Sequence, residues 1–356
     1  MTLMAAEIAE QPETLARTID ALLPLRGELR ALTADRQHVL LVARGSSDNA
    51  GVYGRYLIEV HAGRGASLAA PSLATHYRVR RELSDTVVVS LSQSGETEEI
   101  VETQAWAAAA GARTLAITNA ADSALARSAD LALVTQAGHE RAVPATKTYT
   151  AQLAAIAVLA DALAPGTSPL EPALQRVPGE VQWLLDRPAG RDDAVCALVA
   201  ADATLVSGRG LVYGTALEIA LKLEETCLEP VRGLSYADLR HGPIAVVDPD
   251  AAVVLVAAQD GPMVAGMTEL ATQLAALGAV TIGIGGDAGF RAACTHPLPG
   301  PDLPEAVAPL GLVVPAQLVV EALARALGLD PDAPRSLSKV TQTEPGEGSG
   351  RSTGAR

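Results

Sequence analysis

The chain has 356 residues, which is long for a single core and favours two domains. Lys+Arg 27 against Asp+Glu 41 gives a formal charge of −14, and no basic patch offsets it, which excludes nucleic acid and anionic membranes as general partners. The three cysteines form no CxxC pair, which excludes a disulfide framework and a zinc knuckle. No signal-peptide pattern begins the chain, so we expect a soluble cytoplasmic protein.

The predicted elements begin with an amphipathic helical segment that is interrupted at Pro24. Residues 38–51, "HVLLVARGSSDNAG", then follow the order strand, glycine turn, helix, and residues 87–100, "VVVSLSQSGETEEI", repeat it. A proline-rich stretch near residue 170 predicts a boundary. The expected divisions are 1–33 (helical segment), 34–168 (first α/β domain), 169–195 (linker helix), 196–330 (second α/β domain), 331–342 (C-terminal segment) and 343–356 (disordered tail).

The two α/β segments are related by an internal repeat. Gly45 recurs as Gly210 after 165 positions, and Gly95 recurs as Gly261 after 166, each at the end of an apolar run. A nearly constant offset between βα units indicates a duplicated architecture. The sequence therefore predicts two tandem doubly wound α/β domains with parallel sheets flanked by helices.

A cluster of hydroxyls marks the strand-to-helix turn of the first copy, at Ser92, Ser94 and Thr97 around Gln93. A helix N-terminus offers unpaired N–H groups and a partial positive charge, so this turn suits a phosphate, and Gly95 would let the backbone approach it closely. The alternative is a cluster that only caps the helix. The turn that holds Gly45, Ser46 and Ser47 is placed to face the same crevice.

Candidate acid-base groups follow in the second copy. Glu218, Lys222 and Glu225 share one helical stripe, and the surrounding helix is apolar enough to be buried, although a surface salt-bridge ladder has the same spacing. His241 lies in a HisGlyPro turn that we expect to feed a strand starting at Ile244, and histidine can exchange protons near neutral pH. Lys339 lies after the last domain, where most lysines are only solvated.

Together these strings resemble the sugar isomerase (SIS) superfamily, and within it the isomerase half of glutamine:fructose-6-phosphate amidotransferase, or glucosamine-6-phosphate synthase. The resemblance runs from "LLVARGSS" through "SLSQSGET", "VPATKTYTAQL", "GRGLVYGTALEIALKLEE" and "LRHGPIA" to "PRSLSKVT". Six motifs in the same order make it specific.

The resemblance implies a role for each candidate residue. It implies a sugar-phosphate site made by Gly45, Ser47, Ser92, Gln93, Ser94, Thr97 and Val143. It also implies that Glu225 moves a proton between C1 and C2, that His241 opens the sugar ring, and that Lys339 forms a Schiff base. Glu218 and Lys222 would support that chemistry. The family needs no metal or cofactor for this step, and its histidine loop reaches a neighbouring subunit, which implies a homodimer.

The chain also departs from the synthase pattern. Residues 1–33 are too short for a glutaminase domain, so glutamine is not expected to supply ammonia directly. Ala145 replaces a serine of the family, and Asp238 replaces a glutamate. We expect a deaminase that converts glucosamine 6-phosphate to fructose 6-phosphate and ammonia. A fructosamine-6-phosphate deglycase and a non-catalytic sugar-phosphate sensor stay open as alternatives.

Overall fold

The computed structural model describes residues 1–166 and 170–339. The expected disordered tail at 343–356, and residues 340–342 of the C-terminal segment, lie outside this part of the chain. The α-helices are α1 (Leu3–Ala9), α2 (Gln11–Leu22), α3 (Arg26–Thr33), α4 (Ser46–Leu57), α5 (Ser72–Thr75), α6 (Glu98–Ala109), α7 (Ala124–Ser128), α8 (Lys147–Leu163), α9 (Glu171–Leu185), α10 (Arg191–Ala200), α11 (Tyr213–Cys227), α12 (Tyr236–Arg240), α13 (Val264–Ala276), α14 (Ala288–Ala293) and α15 (Pro309–Ala326).

The strands form two five-stranded parallel sheets. Their bounds are β1 (His38–Val42), β2 (Gly65–Leu68), β3 (Thr86–Leu91), β4 (Arg113–Thr118), β5 (Leu131–Val134), β6 (Ala203–Gly208), β7 (Arg232–Ser235), β8 (Ala251–Ala257), β9 (Val280–Gly285) and β10 (His296–Leu298). Every residue of β3 and β8 is buried, as expected for parallel strands that carry helices on both faces. The α/β class that the sequence predicts is therefore confirmed.

The two sheets have the same topology. The first has the order β2-β1-β3-β4-β5 and the second β7-β6-β8-β9-β10, read from the matching edge. β1 begins at His38 and β6 at Ala203, which is 165 positions later, as the glycine repeat predicts. In this strand order the crevice for a ligand lies at the carboxyl ends of the central strands.

Helices α4 and α11 occupy equivalent positions in the two halves and pack directly against each other. At their crossing, a Cβ on Gly214 would lie 2.5 Å from the backbone oxygen of Asn49, so only glycine fits. Asn49 and Gly214 are themselves 165 positions apart, which places the contact on an approximate two-fold axis. This packing brings the side chains of α11 to the glycine turn that precedes α4.

Helix α15 is, among the described residues, the one helix long and apolar enough to cross a membrane. However, 78% of it is buried inside the protein, where it packs on α9, α10 and α11. Such burial is typical of the core helix of a layered fold, so this helix is weak evidence for a membrane span.

Candidate functional site

The first turn of the site joins β1 to α4. Gly45 has a φ of +57°, and no atom lies within 4 Å of the position that a Cβ would take. α4 begins directly after it, and no side chain caps its N-terminus. Gly45, Ser46 and Ser47 all line one cavity. The turn thus places a helix N-terminus and two hydroxyl-bearing residues at the cavity, and groups of this kind suit an anion.

The second turn joins β3 to α6. Gln93 and Thr97 line the same cavity, whereas Ser92 and Ser94 do not. Ser92 Oγ instead accepts a hydrogen bond from Gly95 N at 3.1 Å, and Ser94 Oγ accepts one from the N–H two residues further on at 3.3 Å. Thr97 is the N-cap residue of α6 but makes no side-chain capping bond. The hydroxyls of Ser92 and Ser94 therefore hold the turn in shape. Thr97 makes no capping bond, so helix capping does not account for its hydroxyl.

Gly95 makes a close packing contact within the first half of the chain. A Cβ at this position would lie 2.2 Å from Ser123 Oγ and 2.9 Å from Thr118 Oγ1, and φ is +66°. Glycine is therefore required by its contact with β4 and the segment that follows it, and the approach of a ligand to this backbone stays a prediction.

The charged stripe of α11 lies inside the protein. Glu218 and Lys222 are buried, while the side chain of Glu225 is 24% exposed. Lys222 Nζ donates to Glu225 Oε2 and lies 3.5 Å from Glu218 Oε1, and Asn49 Nδ2 donates to Glu218 Oε2 at 2.9 Å. Lys222 and Glu225 line the cavity, and Glu218 lies behind them. The surface-ladder interpretation is therefore wrong.

Burial sets the proton affinities of this stripe. It raises the pKa of Glu218 to about 7, although the charge of Lys222 and the bond from Asn49 act in the opposite direction. The pKa of Lys222 is raised, because the two carboxylates outweigh the desolvation that would lower it. A pair of carboxylates with one ammonium can accept and return a proton near neutral pH.

The C-terminal segment closes the cavity. Leu337, Ser338 and Lys339 line it, together with Val143 and Ala145 from the segment before α8. The cavity has a volume of about 390 Å³, within the usual range for small-molecule sites. Eight of the residues expected at the site share this space: Gly45, Ser47, Gln93, Thr97, Val143, Lys222, Glu225 and Lys339.

Comparisons with known proteins identify the family of this chain. The SIS domain family matches residues 32–162. A protein from Silicibacter pomeroyi DSS-3, assigned as a phosphosugar isomerase, has a solved structure that is 30% identical with a TM-score of 0.81, covering 93% of this chain and 100% of that one. The chain belongs to the SIS family.

Other SIS relatives carry the isomerase half of a larger enzyme. The glutamine--fructose-6-phosphate aminotransferase [isomerizing] of Aquifex aeolicus is 33% identical over 342 residues, which cover 96% of this chain but 58% of that protein. The C-terminal domain of glucosamine-fructose-6-phosphate aminotransferase from Francisella tularensis has a TM-score of 0.86 at 28% identity, covering 94% of this chain and 98% of that domain. This SIS chain thus spans less than two thirds of the curated relative.

His241 does not line the cavity of this SIS chain. It is exposed directly after α12. The strand expected from Ile244 is wrong: Pro243–Val246 forms a 3-10 helix, and β8 begins at Ala251. Pro243 lacks an N–H for a sheet ladder and follows Gly242 at a φ of +137°, which directs the chain into a tight turn.

Sequence reasoning missed several residues of the SIS site. Arg44 lines the cavity and forms two 2.9 Å bonds to the buried Glu99. Glu140 also lines it and contacts Lys339. The rarity of lysine was one available signal for the residues around the cavity, because three of the 27 Lys and Arg residues are lysines. Two of them line the cavity, and the third, Lys147, donates to the carbonyl of the residue before Glu140.

Metal ligation is also absent from the described part of the chain. Residues 1–166 and 170–339 contain no group of three His, Cys, Asp or Glu side chains arranged to hold a metal ion.

Proposed function

We propose that this chain is an amino-sugar-phosphate deaminase that converts glucosamine 6-phosphate and water to fructose 6-phosphate and ammonia. One observation carries the proposal: a single cavity joins the Gly45 and Gln93 turns to the Lys222–Glu225 pair and to Lys339. Anion-binding groups, a carboxylate and a primary amine thus face one another across the space of a small sugar. A protein from Thermotoga maritima titled glucosamine-6-phosphate deaminase shares the fold, with a TM-score of 0.79.

The phosphate would bind between the two turns of the first sheet. Helices α4 and α6 both begin at this edge without a side-chain cap, so their N–H groups and partial positive charges are available to a dianion. Ser47, Gln93 and Thr97 would add side-chain donors, with Val143 as the opposite wall. Ser92 and Ser94 would support this cradle by holding the turn in shape.

Glu225 would act as the base on the open-chain sugar. It would remove the proton at C2 and return a proton to C1, while one proton passes from the amine nitrogen to O1, so that the amino aldehyde becomes a ketose imine with a C1 hydroxyl. Addition of one water to that imine releases ammonia and leaves the C2 carbonyl of fructose 6-phosphate. Lys222, which donates to Glu225, would stabilise the negative charge of that carboxylate. Glu218 would stabilise the ammonium of Lys222.

Lys339 would take part after the proton transfer. Its amine can replace ammonia at C2 and form an imine with the keto sugar, which water then opens. His241 would open the sugar ring from the neighbouring subunit of a homodimer, because in a single chain it lies outside the cavity. We further propose that the second sheet is a second SIS domain, with the boundaries expected from the sequence, and that the protein works in the cytoplasm.

The proposal is tested by supplying the purified chain with glucosamine 6-phosphate. Ammonia and fructose 6-phosphate are expected to form in equal amounts, as measured by two coupled assays, and inorganic phosphate is expected to compete with the substrate. If the chain releases an amine from a fructosamine 6-phosphate but does not convert glucosamine 6-phosphate, its function is that of the deglycase. Binding of both sugars without turnover would replace it by the sensor.

A further inference from the structure

Glu140 is a buried carboxylate in the segment between β5 and α8. It accepts hydrogen bonds from Thr146 N at 2.9 Å, from Thr148 N at 3.1 Å and from Thr148 Oγ1 at 2.6 Å. These groups belong to the start of α8, so Glu140 caps that helix from outside it. Its side chain is 0% exposed, which fixes the position of the negative charge at the cavity wall.

The one ammonium in contact with this carboxylate, among the described residues, is that of Lys339. Lys339 Nζ lies 2.6 Å from Glu140 Oε2 and donates to Ala142 O at 2.8 Å. Both side chains line the cavity. A contact between residues 199 positions apart in sequence therefore places the amine of the C-terminal segment beside the proposed sugar site.

The peptide of Ala142 is held from both sides. Its carbonyl accepts from Lys339, and its N–H lies 3.2 Å from Glu7 Oε2 on α1. The next N–H, of Val143, donates to Asp332 O at 2.9 Å. The cavity wall, α1 and the C-terminal segment thus form one bonded unit around Lys339.

The charge on Glu140 depends on this contact. Burial acts to raise the pKa of Glu140, but the charge of Lys339 and the hydrogen bonds from Lys339, Thr148 and Thr146 outweigh it, so the pKa is lowered. The carboxylate is therefore ionised at neutral pH and acts as the fixed counter-charge of the amine.

We propose that Glu140 is the positioning residue of Lys339: it holds the amine at the sugar site and stays paired with the cation that forms when the amine bonds the substrate. The inference rests on the proposed function. In the reaction with the keto sugar, the Lys339 ammonium first gives up one proton, the free amine attacks C2, the C2–O bond breaks, and the oxygen leaves as water with two protons, one of which replaces the proton lost first. The nitrogen therefore carries one positive charge before the step and again in the iminium, and Glu140 pairs with the cation in both states.

Other charges also face Lys339. These groups are Glu7 on α1, which interacts with it electrostatically, and the residues that share the cavity, which are Arg44, Lys222 and Glu225. Because Glu140 also acts on the pKa of Glu7 and on the pKa of Lys222, the effect of its replacement is measured at Lys339 itself, as the amount of adduct at that residue.

The test is reductive trapping with fructose 6-phosphate and borohydride at pH 8. Hydride from borohydride converts the iminium to a stable secondary amine, which mass spectrometry assigns among the three lysines of the chain. Glu140→Gln is expected to lower the amount of Lys339 adduct by about tenfold, because the amine loses the charged partner that holds it at the sugar site. Thr148→Val removes a hydrogen bond to Glu140 but keeps its charge, and it is expected to leave the amount of adduct unchanged.

Each outcome bears on the proposal. Glu140→Asp restores the charge and is expected to return the amount of Lys339 adduct towards wild type. An unchanged amount of adduct in Glu140→Gln, or trapping at Lys147 or Lys222 in place of Lys339, overturns the inference. Turnover of glucosamine 6-phosphate without trapping at Lys339 overturns it and leaves the proposed function standing. Trapping at Lys339 that falls in Glu140→Gln, but without turnover of glucosamine 6-phosphate, overturns the function alone.

A second measurement does not depend on a folded variant. Wild-type protein labelled with ¹⁵N and ¹³C in lysine has three side-chain ammonium groups, and that of Lys339 is expected to exchange slowly with water because Glu140 and Ala142 hold it. Fast exchange of this ammonium at neutral pH shows that the pair does not exist in solution and contradicts the proposal.

Discussion

Glu225→Gln is expected to lower the turnover of glucosamine 6-phosphate by about 10²–10⁴-fold, the usual contribution of a positioned general base. Glutamine has the same shape and can still accept a bond from Lys222, but it cannot take up the C2 proton. The affinity for inorganic phosphate is expected to stay within about twofold of wild type, because the phosphate site lies on the turns of the first sheet. Steady-state kinetics with phosphate as competitor measure both quantities.

The neighbouring residue supplies a matched control. Glu224 lies on the same helix, is exposed and does not line the cavity. Glu224→Gln removes the same charge from α11 and is expected to leave turnover unchanged. An equal loss of turnover in both variants, or loss of phosphate affinity together with turnover in Glu225→Gln, contradicts the role assigned to Glu225.

Lys222→Met is expected to lower the free energy of unfolding by about 3–5 kcal/mol at pH 8, since it leaves Glu218 and Glu225 without their shared cation. Glu218→Gln combined with Lys222→Met removes the buried charge as well and is expected to recover most of that loss. Denaturant unfolding of wild type, both single variants and the double variant gives the coupling between the two side chains.

The stability loss expected for Lys222→Met depends on pH. The pKa of Glu218 is about 7, above its value in the unfolded chain, so the stability that this carboxyl contributes is complete at low pH and is lost as pH rises through 7. Lys222 lowers the pKa of Glu218, and without it that pKa rises further. The loss in Lys222→Met is therefore smaller at pH 5, where Glu218 is protonated, than at pH 8. A loss that is equal at both pH values contradicts the assigned pairing.

Much of the fold could be predicted because its pattern is local. The buried run at Val87–Val89 and the glycine repeat predict parallel strands and two similar sheets, and the structure has both. Apolar residues around nearly all of α11 predict that its charged stripe is buried, and Glu218 and Lys222 are buried. These features depend on residues close in sequence, so periodicity is enough to show them.

The failures concern contacts between distant segments or special backbone positions. Glu140 has no local signal, because its partner Lys339 lies 199 positions away. The contact of Gly95 with Ser123 likewise has no signal in the sequence, because periodicity does not place the loop that holds Ser123. The strand expected at Ile244 fails because Gly242 and Pro243 impose a turn that outweighs an apolar run.

The central claim is that one carboxylate on one side of the cavity moves the proton between C1 and C2. Fructose 6-phosphate incubated with the protein in D₂O tests it most directly, with NMR observing the two hydrogens at C1. We predict that deuterium replaces one of these hydrogens and not the other, because a single base approaches from one face, and that Glu225→Gln stops the exchange. Retention of both hydrogens, or exchange of both, contradicts the account.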